Sequence, residues 1–295
     1  MTETTPGTTA RPRQAARRAA NMVATPAPPV PPPQAPTAAT PKVNNWDAIR
    51  KVLNDKKAAI AKVIPAGIAT TADSIMQNAI QQIETSREAS KLKLCRPSSV
   101  LYAVIAAAGA GLDFINDYAF LVPFERTTMN QGARVFECWE AKLIPGYKGL
   151  LNVAARHGYL LDVQAVYPYE TCHIRLGTDN TIEHEAGFDT NQHLVGVYCV
   201  VRDKETDRVQ HIERMSKADI DHIAATATAK AWKDASRYPE MAKKTVARRG
   251  FKWLPKDASE IRILNEVERR NDTGEPLTDL ATKMVEIGGS PAAQQ

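Results

Sequence analysis

Between Pro239 and Lys256 the chain carries six basic residues and one acid, Glu240. Placed on a helix at about 100° per residue, Lys244, Arg248 and Lys252 share one stripe, with Arg249 beside them and Lys243 one position back. Ala242, Val246 and Trp253 fall on the other side, with Leu254 and Ala247 at its edge. Like charges four apart cost a free helix about 0.2–0.5 kcal/mol per pair. A run of them without acids is easier to reconcile if the counter-charge comes from outside, and phosphate is the chemistry that fits. A solvated helix face is the bland alternative.

A second stripe repeats the geometry. In Gly146–His157, Lys148, Asn152 and Arg156 stand at i, i+4 and i+8, and Tyr147, Leu150, Leu151 and Ala154 take the other side. Four residues of helix rise about 6 Å, comparable to phosphate spacing on an extended single strand. Gly149, on the polar side, would let a backbone approach closely. Tyr147, Phe251 and Trp253 are the aromatics that could prop or separate bases, Trp253 fitting the core better because it shares a side with Val246.

Two other constellations carry possible chemistry. Asp113 and Asp117 upstream of Glu140-Ala-Lys142 echo the D…(D/E)xK site of metal-dependent nucleases, in which carboxylates hold Mg²⁺ and the Lys polarises the phosphate. On a half-exposed strand the same Glu and Lys are simply the solvated side. Cys172, His184, His193 and His211 lack the spacing of a zinc site. No GxxxxGK[ST] occurs, so the sequence contains no nucleotide-binding P-loop.

Charge distribution decides between ridge and ordinary surface. The 295 residues carry a net +5, yet residues 230–256 hold nine bases and two acids and residues 1–41 hold four bases and one acid. From Asp257 onward eight acids face four bases. Basicity confined to one segment and one tail is the footprint of a nucleic-acid binder. Four widely separated cysteines (Cys95, Cys138, Cys172, Cys199) read as reduced thiols, and no apolar run approaches a membrane span. The expected location is the cytoplasm, without membrane contact. Residues 1–42 hold ten of nineteen prolines and are expected to be a disordered basic arm.

The elements that must position these residues follow from periodicity. Helices are expected over 46–64 and 68–83, broken by Pro65-Ala-Gly67, and over 100–108 behind Pro97. Strands are expected at 118–124 and 135–144 around a polar loop, at 160–169, and in a hairpin of 194–202 with 208–214. A loose stretch runs from 170 to 191. Ser216-x-x-Asp219 starts a helix over 217–231, followed by the basic helix 239–254, a helix 259–270 and a polar tail. Antiparallel strands flanked by helices give an α+β fold. The expected organisation is the arm (1–42), a helical region for oligomerisation (43–95), a DNA-binding core (96–257), and a C-terminal helix and flexible tail for partner binding (258–295).

Four blocks resemble the RecT-type phage single-strand annealing proteins: Pro97-Ser98 with Ala119-Phe-Leu-Val-Pro-Phe124; Gly146-Tyr-Lys-Gly-Leu150 with Ala154, Arg156 and Gly158; Met215-Ser216 with Ile220 and Trp232; and Met241-Ala-Lys-Lys-Thr-Val-Ala-Arg-Arg249 with Lys252 and Leu254-Pro255. Two positions depart from the family: Gly250, where a larger apolar residue is usual, and the link around Ser236-Arg-Tyr238. The resemblance implies a hairpin-and-helix core and ATP-independent annealing of complementary strands by a homo-oligomer in an arc, ring or helical filament. It also implies a 5′→3′ exonuclease partner, a host single-strand binding protein, and no required cofactor, with Mg²⁺ at most a DNA counterion. DNA backbone contacts are then expected from Lys148, Asn152, Arg156, Lys243, Lys244, Arg248, Arg249 and Lys252, with Tyr147 beside them.

Overall fold

The computed structural model describes residues 44–288, apart from 131, 189–192 and 228. The proline-rich arm expected over 1–42 lies outside the described residues. The chain begins with helices α1 (Trp46–Asp55), α2 (Lys57–Val63) and α3 (Ala72–Thr85), followed by a single turn, α4 (Ala89–Leu92). The periodic pattern over 46–64 is thus two helices meeting at Lys56 (φ −105°, ψ 13°). Thr71 caps α3 by accepting from the Ser74 amide. α5 (Pro97–Gly109) starts on Pro97, whose missing N–H costs nothing at a helix start. Apolar on every side, α5 is the central rod: Val100, Ala103, Val104 and Ala106–Ala108 have no exposure. Around it pack α1, α2 and α3, which bury Ile49, Leu53, Ile60, Ile75 and Ile83.

Strands β1 (Ala119–Asn130) and β2 (Ala133–Pro145) form a long antiparallel hairpin, in register from Ala119↔Pro145 to Asn130↔Ala133 with one shift at Arg126/Thr127. Its base is buried and its distal half exposed. α6 (Tyr147–Arg156) follows and is stopped by Gly158 in the left-handed region (φ +83°). A three-stranded antiparallel sheet comes next, in the order β3 (Tyr159–Val166), β6 (Gly196–Asp203), β7 (Val209–Ser216), with a small hairpin of β4 (Thr171–Arg175) and β5 (Thr181–Glu185) between β3 and β6 in sequence. Helix α7 (Lys217–Thr226) begins with a complete capping box between Ser216 and Asp219. A short 3₁₀ turn (Lys230–Lys233) leads to α8 (Tyr238–Phe251), α9 (Ser259–Thr273) and α10 (Thr278–Gly288). The architecture is α+β, antiparallel sheets flanked by helices.

Three regions differ from expectation. The polar loop around Gly132 shrinks to a tight turn (Gly132 φ +81°), because the Thr- and Arg-bearing segments continue as paired strands whose side chains face water. The loose stretch 170–191 contains β4–β5, joined to the β3–β6–β7 core through Tyr198, Val200 and Ile212 packing on Ile174 and Ile182. The polar tail contains α10, which packs on α2 and α5 and buries Leu277 and Ala281. The sequence hides it because a short amphipathic helix with few apolar residues has a weak periodic signal. None of the described helices is long and apolar enough to cross a membrane. The thiols are free: burial pushes those of Cys95 and Cys199 up to about 12, and Cys138 and Cys172 are half-exposed.

α8 lies on the three-stranded sheet and against α6. It buries Ala242, Val246, Ala247 and Gly250, and Phe251 is only 3% exposed. A Cβ added at Gly250 would stand 2.6 Å from Cys199 Sγ and 3.1 Å from Cys199 Cβ. Gly250 is therefore a point where the helix presses closely on β6, with no room for the larger apolar residue usual in the family unless Cys199 moves. Gly250→Leu is expected to destabilise the fold by about 1–3 kcal/mol through overpacking. Cys199→Ala should recover part of that loss in the double variant, measured by denaturant unfolding; a stabilised Gly250→Leu would refute this contact.

Candidate nucleic-acid interface

The seating of α8 sets the direction of its cations. With Val246 and Gly250 fixed against the sheet, Lys244, Arg248, Arg249 and Lys252 line an open cleft of about 770 Å³. The lining also includes Asp117, Phe120 on β1, the β2–α6 junction from Ile144 to Tyr147, and Glu268 and Asp272 on α9. Tyr147 therefore joins the α8 cations in one place, as expected.

The junction is shaped by two glycines and a left-handed turn. A Cβ at Gly146 would overlap the Asp117 carbonyl, and one at Gly149 would overlap that of Tyr118. Asn116 and Asp117 turn the chain at φ +54° and +61°, conformations that Asn and Asp tolerate best among residues with a Cβ. The Gly146 amide then donates to the Tyr118 carbonyl at 2.9 Å. The close backbone approach expected at Gly149 is made by the chain's own turn, through the Tyr118 carbonyl.

The second stripe is divided. Lys148 is exposed and pairs with Asp117 at 3.0 Å; that carboxylate, by hydrogen bond and charge, holds the ammonium above its ordinary pKa. Asn152 and Arg156 line a separate, smaller cleft with Gly111 and Asp113. Arg156 donates to the Ala110 carbonyl at 3.0 Å at the C-terminal end of α5, where a cation also meets the negative pole of the helix. Partial burial lowers its pKa, against the pull of Glu260. The i, i+4, i+8 spacing is present, but Lys148 and Arg156 have different partners, and the stripe does not form one track with α8.

On α8 most cations have internal partners. Arg249 Nε lies 2.8 Å from Glu213 Oε1 on β7, and Lys243 Nζ is 2.5 Å from Glu240 one turn back. Arg248 donates from Nη2 to the Pro145 carbonyl at 3.1 Å. Its Nε is 3.3 Å from Glu268 Oε1 without hydrogen-bond alignment, leaving that N–H buried and unsatisfied. Lys252 Nζ is 3.9 Å from the other Glu268 oxygen. Glu268 is only 14% exposed, and burial raises its pKa while Arg248 and Lys252 pull it down. The counter-charge expected from outside is thus supplied in part by Glu213 and Glu268. Lys244, exposed in the cleft, has no partner among the described residues.

The aromatic expectations reverse. Phe251 belongs to the core, whereas Trp253 is 62% exposed. Extending helical phase through Trp253 misplaces it, because α8 ends at Phe251 and Trp253 lies in the following turn. Glu213 and Glu268 gave no signal, since both lie far from the basic run in sequence.

The nuclease-like residues do not converge. Asp113 is 7% exposed and accepts from Asn78 Nδ2 at 2.9 and 3.0 Å and from the Phe114 amide. Asp117 pairs with Lys148. Glu140 takes Arg126 at 2.8 Å, within a cluster with Arg96 and Glu137, and Lys142 lies over the Phe124 ring. Each carboxylate already serves a local structural purpose. Likewise, among the described residues no three His, Cys, Asp or Glu side chains gather at one point. His184 contacts Tyr198 and Glu170, whereas His211 contacts Trp253 and Glu213.

Comparison with known proteins places the chain in a family. The chain is 27% identical over 246 residues to "Protein RecT" of Escherichia coli (strain K12), an alignment covering 80% of this chain and 84% of that protein. The RecT family matches residues 73–278, from the start of α3 to the start of α10, and so takes in the hairpin, the sheet and the whole α8 cleft. The chain belongs to the RecT family of single-strand annealing recombination proteins.

Proposed function

We propose that the protein holds single-stranded DNA by its phosphates along the α8 cleft and anneals complementary strands without ATP, acting as a multimer. The observation that carries this is the cleft itself, where the unpartnered Lys244 stands beside Arg248, Arg249 and Lys252. Annealing makes no covalent bond. It requires a backbone grip that offsets repulsion between two strands and leaves base edges free to pair. The paired arginines suit that grip, because their guanidinium groups remain partly exposed beside largely buried carboxylates and can exchange carboxylate for phosphate. Lys243, at the edge of the ridge, and Lys148, at the mouth of the junction, would extend it by the same exchange.

Arg156 would contribute more to architecture than to this grip, since it is engaged with the end of α5, and Asn152 lines the smaller cleft beside it. No cofactor is required, and Mg²⁺ would act only as a counterion to DNA. Multimers would form through the N-terminal helices, using their outward faces, because the inward ones already pack on α5. A 5′→3′ exonuclease and a host single-strand binding protein are the partners that fit the family, in the cytoplasm of a bacterial host.

Mixing the protein with labelled complementary oligonucleotides and Mg²⁺, without ATP, should speed duplex formation and leave both strands intact; strand degradation would instead favour the nuclease alternative. Lys244→Gln is the cleanest test of the cleft, because it breaks no internal pair. It should lower single-strand affinity and reduce the slope of log K against log salt by about 0.7. Arg248→Ala with Arg249→Ala should reduce it by about 1.4. Slopes equal to wild type would place the DNA elsewhere.

Glu268→Gln should act in the opposite direction. Without its carboxylate, Arg248 and Lys252 are free for phosphate, and affinity should rise several-fold. Because the Glu268 pKa is raised, the wild-type carboxyl takes up its proton earlier on acidification than an ordinary carboxylate. Wild-type affinity should therefore climb more steeply than that of Glu268→Gln as pH falls from neutral, in a titration by fluorescence anisotropy. Parallel pH profiles would exclude Glu268 as the competing anion.

A further inference from the structure

Trp253 directly follows one cleft residue, Lys252, and lies four residues after another, Arg249, and its exposure is not that of a loose surface side chain. Its indole stacks on the His211 ring, with centroids 4.1 Å apart and planes 25° from parallel. Its Nε1–H donates to Glu213 Oε2 at 3.2 Å. Glu213 itself is only 12% exposed; it accepts Arg249 on Oε1 at 2.8 Å and lies 3.3 Å from His211 Nε2 through Oε2. One carboxylate thus joins the wall of the cleft to the indole and to the ring beneath it. His211 covers one indole face, and 62% of the residue remains open to solvent.

From this geometry we propose that Trp253, backed by His211 and positioned by Glu213, is a stacking platform for one unpaired base of the strand whose phosphates occupy the adjoining cleft. The site rests on the single-strand reading above and deepens it by assigning a base contact. The ligand is a nucleobase rather than a protein side chain because the platform is continuous with cations suited to phosphate. A chain bound through Arg249 and Lys252 passes within reach of the indole. Every base has a π-face, so the contact is tolerant of sequence, as annealing any pair of complementary strands requires. The two contacts fix the indole before binding, so little side-chain freedom remains to be lost. The base so held is kept out of the stack until its complement arrives.

The test uses the full-length protein and two short oligonucleotides of equal length and charge, one of thymidines and one abasic. Wild type should bind the thymidine strand at least about 5-fold more tightly than the abasic strand, the lower end expected for one base–aromatic stack. Trp253→Leu should lose that ratio with an unchanged salt slope, and Trp253→Phe should keep much of it. Equal affinities of wild type for the two strands would overturn the platform and leave the cleft intact. So would a Trp253→Leu variant that keeps the ratio. Failure of wild type to bind either strand would overturn the single-strand reading as well. Should Trp253→Leu fail to fold, the wild-type ratio and its retention in Trp253→Phe still decide the matter.

Discussion

The contact on which the site depends is the seat of α8 on the β3–β6–β7 sheet. Ala242, Val246, Ala247 and Gly250 make one face of the helix flat and small, and Gly250 meets Cys199 where a Cβ would not fit. A helix pressed this closely cannot rotate about its axis without side chains entering the sheet. Its phase is therefore fixed by packing, and the cations inherit their direction. Charge does not organise this region: like charges along α8 oppose the helix by a few tenths of a kcal/mol per pair, whereas each fully buried apolar side chain contributes about 1.5–3 kcal/mol. The apolar face wins, and the basic face follows.

That hierarchy explains what could be read from the sequence. The helix, its basic stripe and its buried stripe were legible because they share one period over fourteen residues. So were the β6–β7 hairpin and the capping box at Ser216, whose chemistry is local. Trp253 was not, because its position depends on where the helix stops, and helix ends are the least certain feature of a periodic pattern. Nor could Glu213 and Glu268 be found, since tertiary proximity of a carboxylate to a distant arginine leaves no mark in spacing. The division of Lys148 and Arg156 between different partners has the same origin: a shared helix face does not imply a shared neighbour.

The β2–α6 junction shows how much of a family motif can be architecture. Gly146 and Gly149 are required by the turn at Asn116–Tyr118, which lies against the first turn of α6. Lys148 then pairs across that turn with Asp117, and Arg156 closes the far end of α5. A block with the composition of a ligand loop thus holds the hairpin base to the core. Its functional yield is positional: it presents Tyr147 and the Pro145 carbonyl to the cleft, and that carbonyl fixes Arg248.

Internal pairing of the cleft cations competes with any hold on DNA. A protein that gripped one strand irreversibly could not anneal it, because the grip must change when the second strand adds its own phosphates. A lining of four cations and three carboxylates is suited to that exchange. Glu268, taken out of water, is a costly counterion, and a phosphate reaching Arg248 and Lys252 replaces it with a better solvated partner. Arg248 carries a buried N–H with no hydrogen bond, so the unliganded cleft is not at its electrostatic optimum. On the proposed reading, binding would need no preformed cationic trough: it would need side chains held in place by pairs that phosphate can replace as the strand is laid in and that re-form as the duplex leaves.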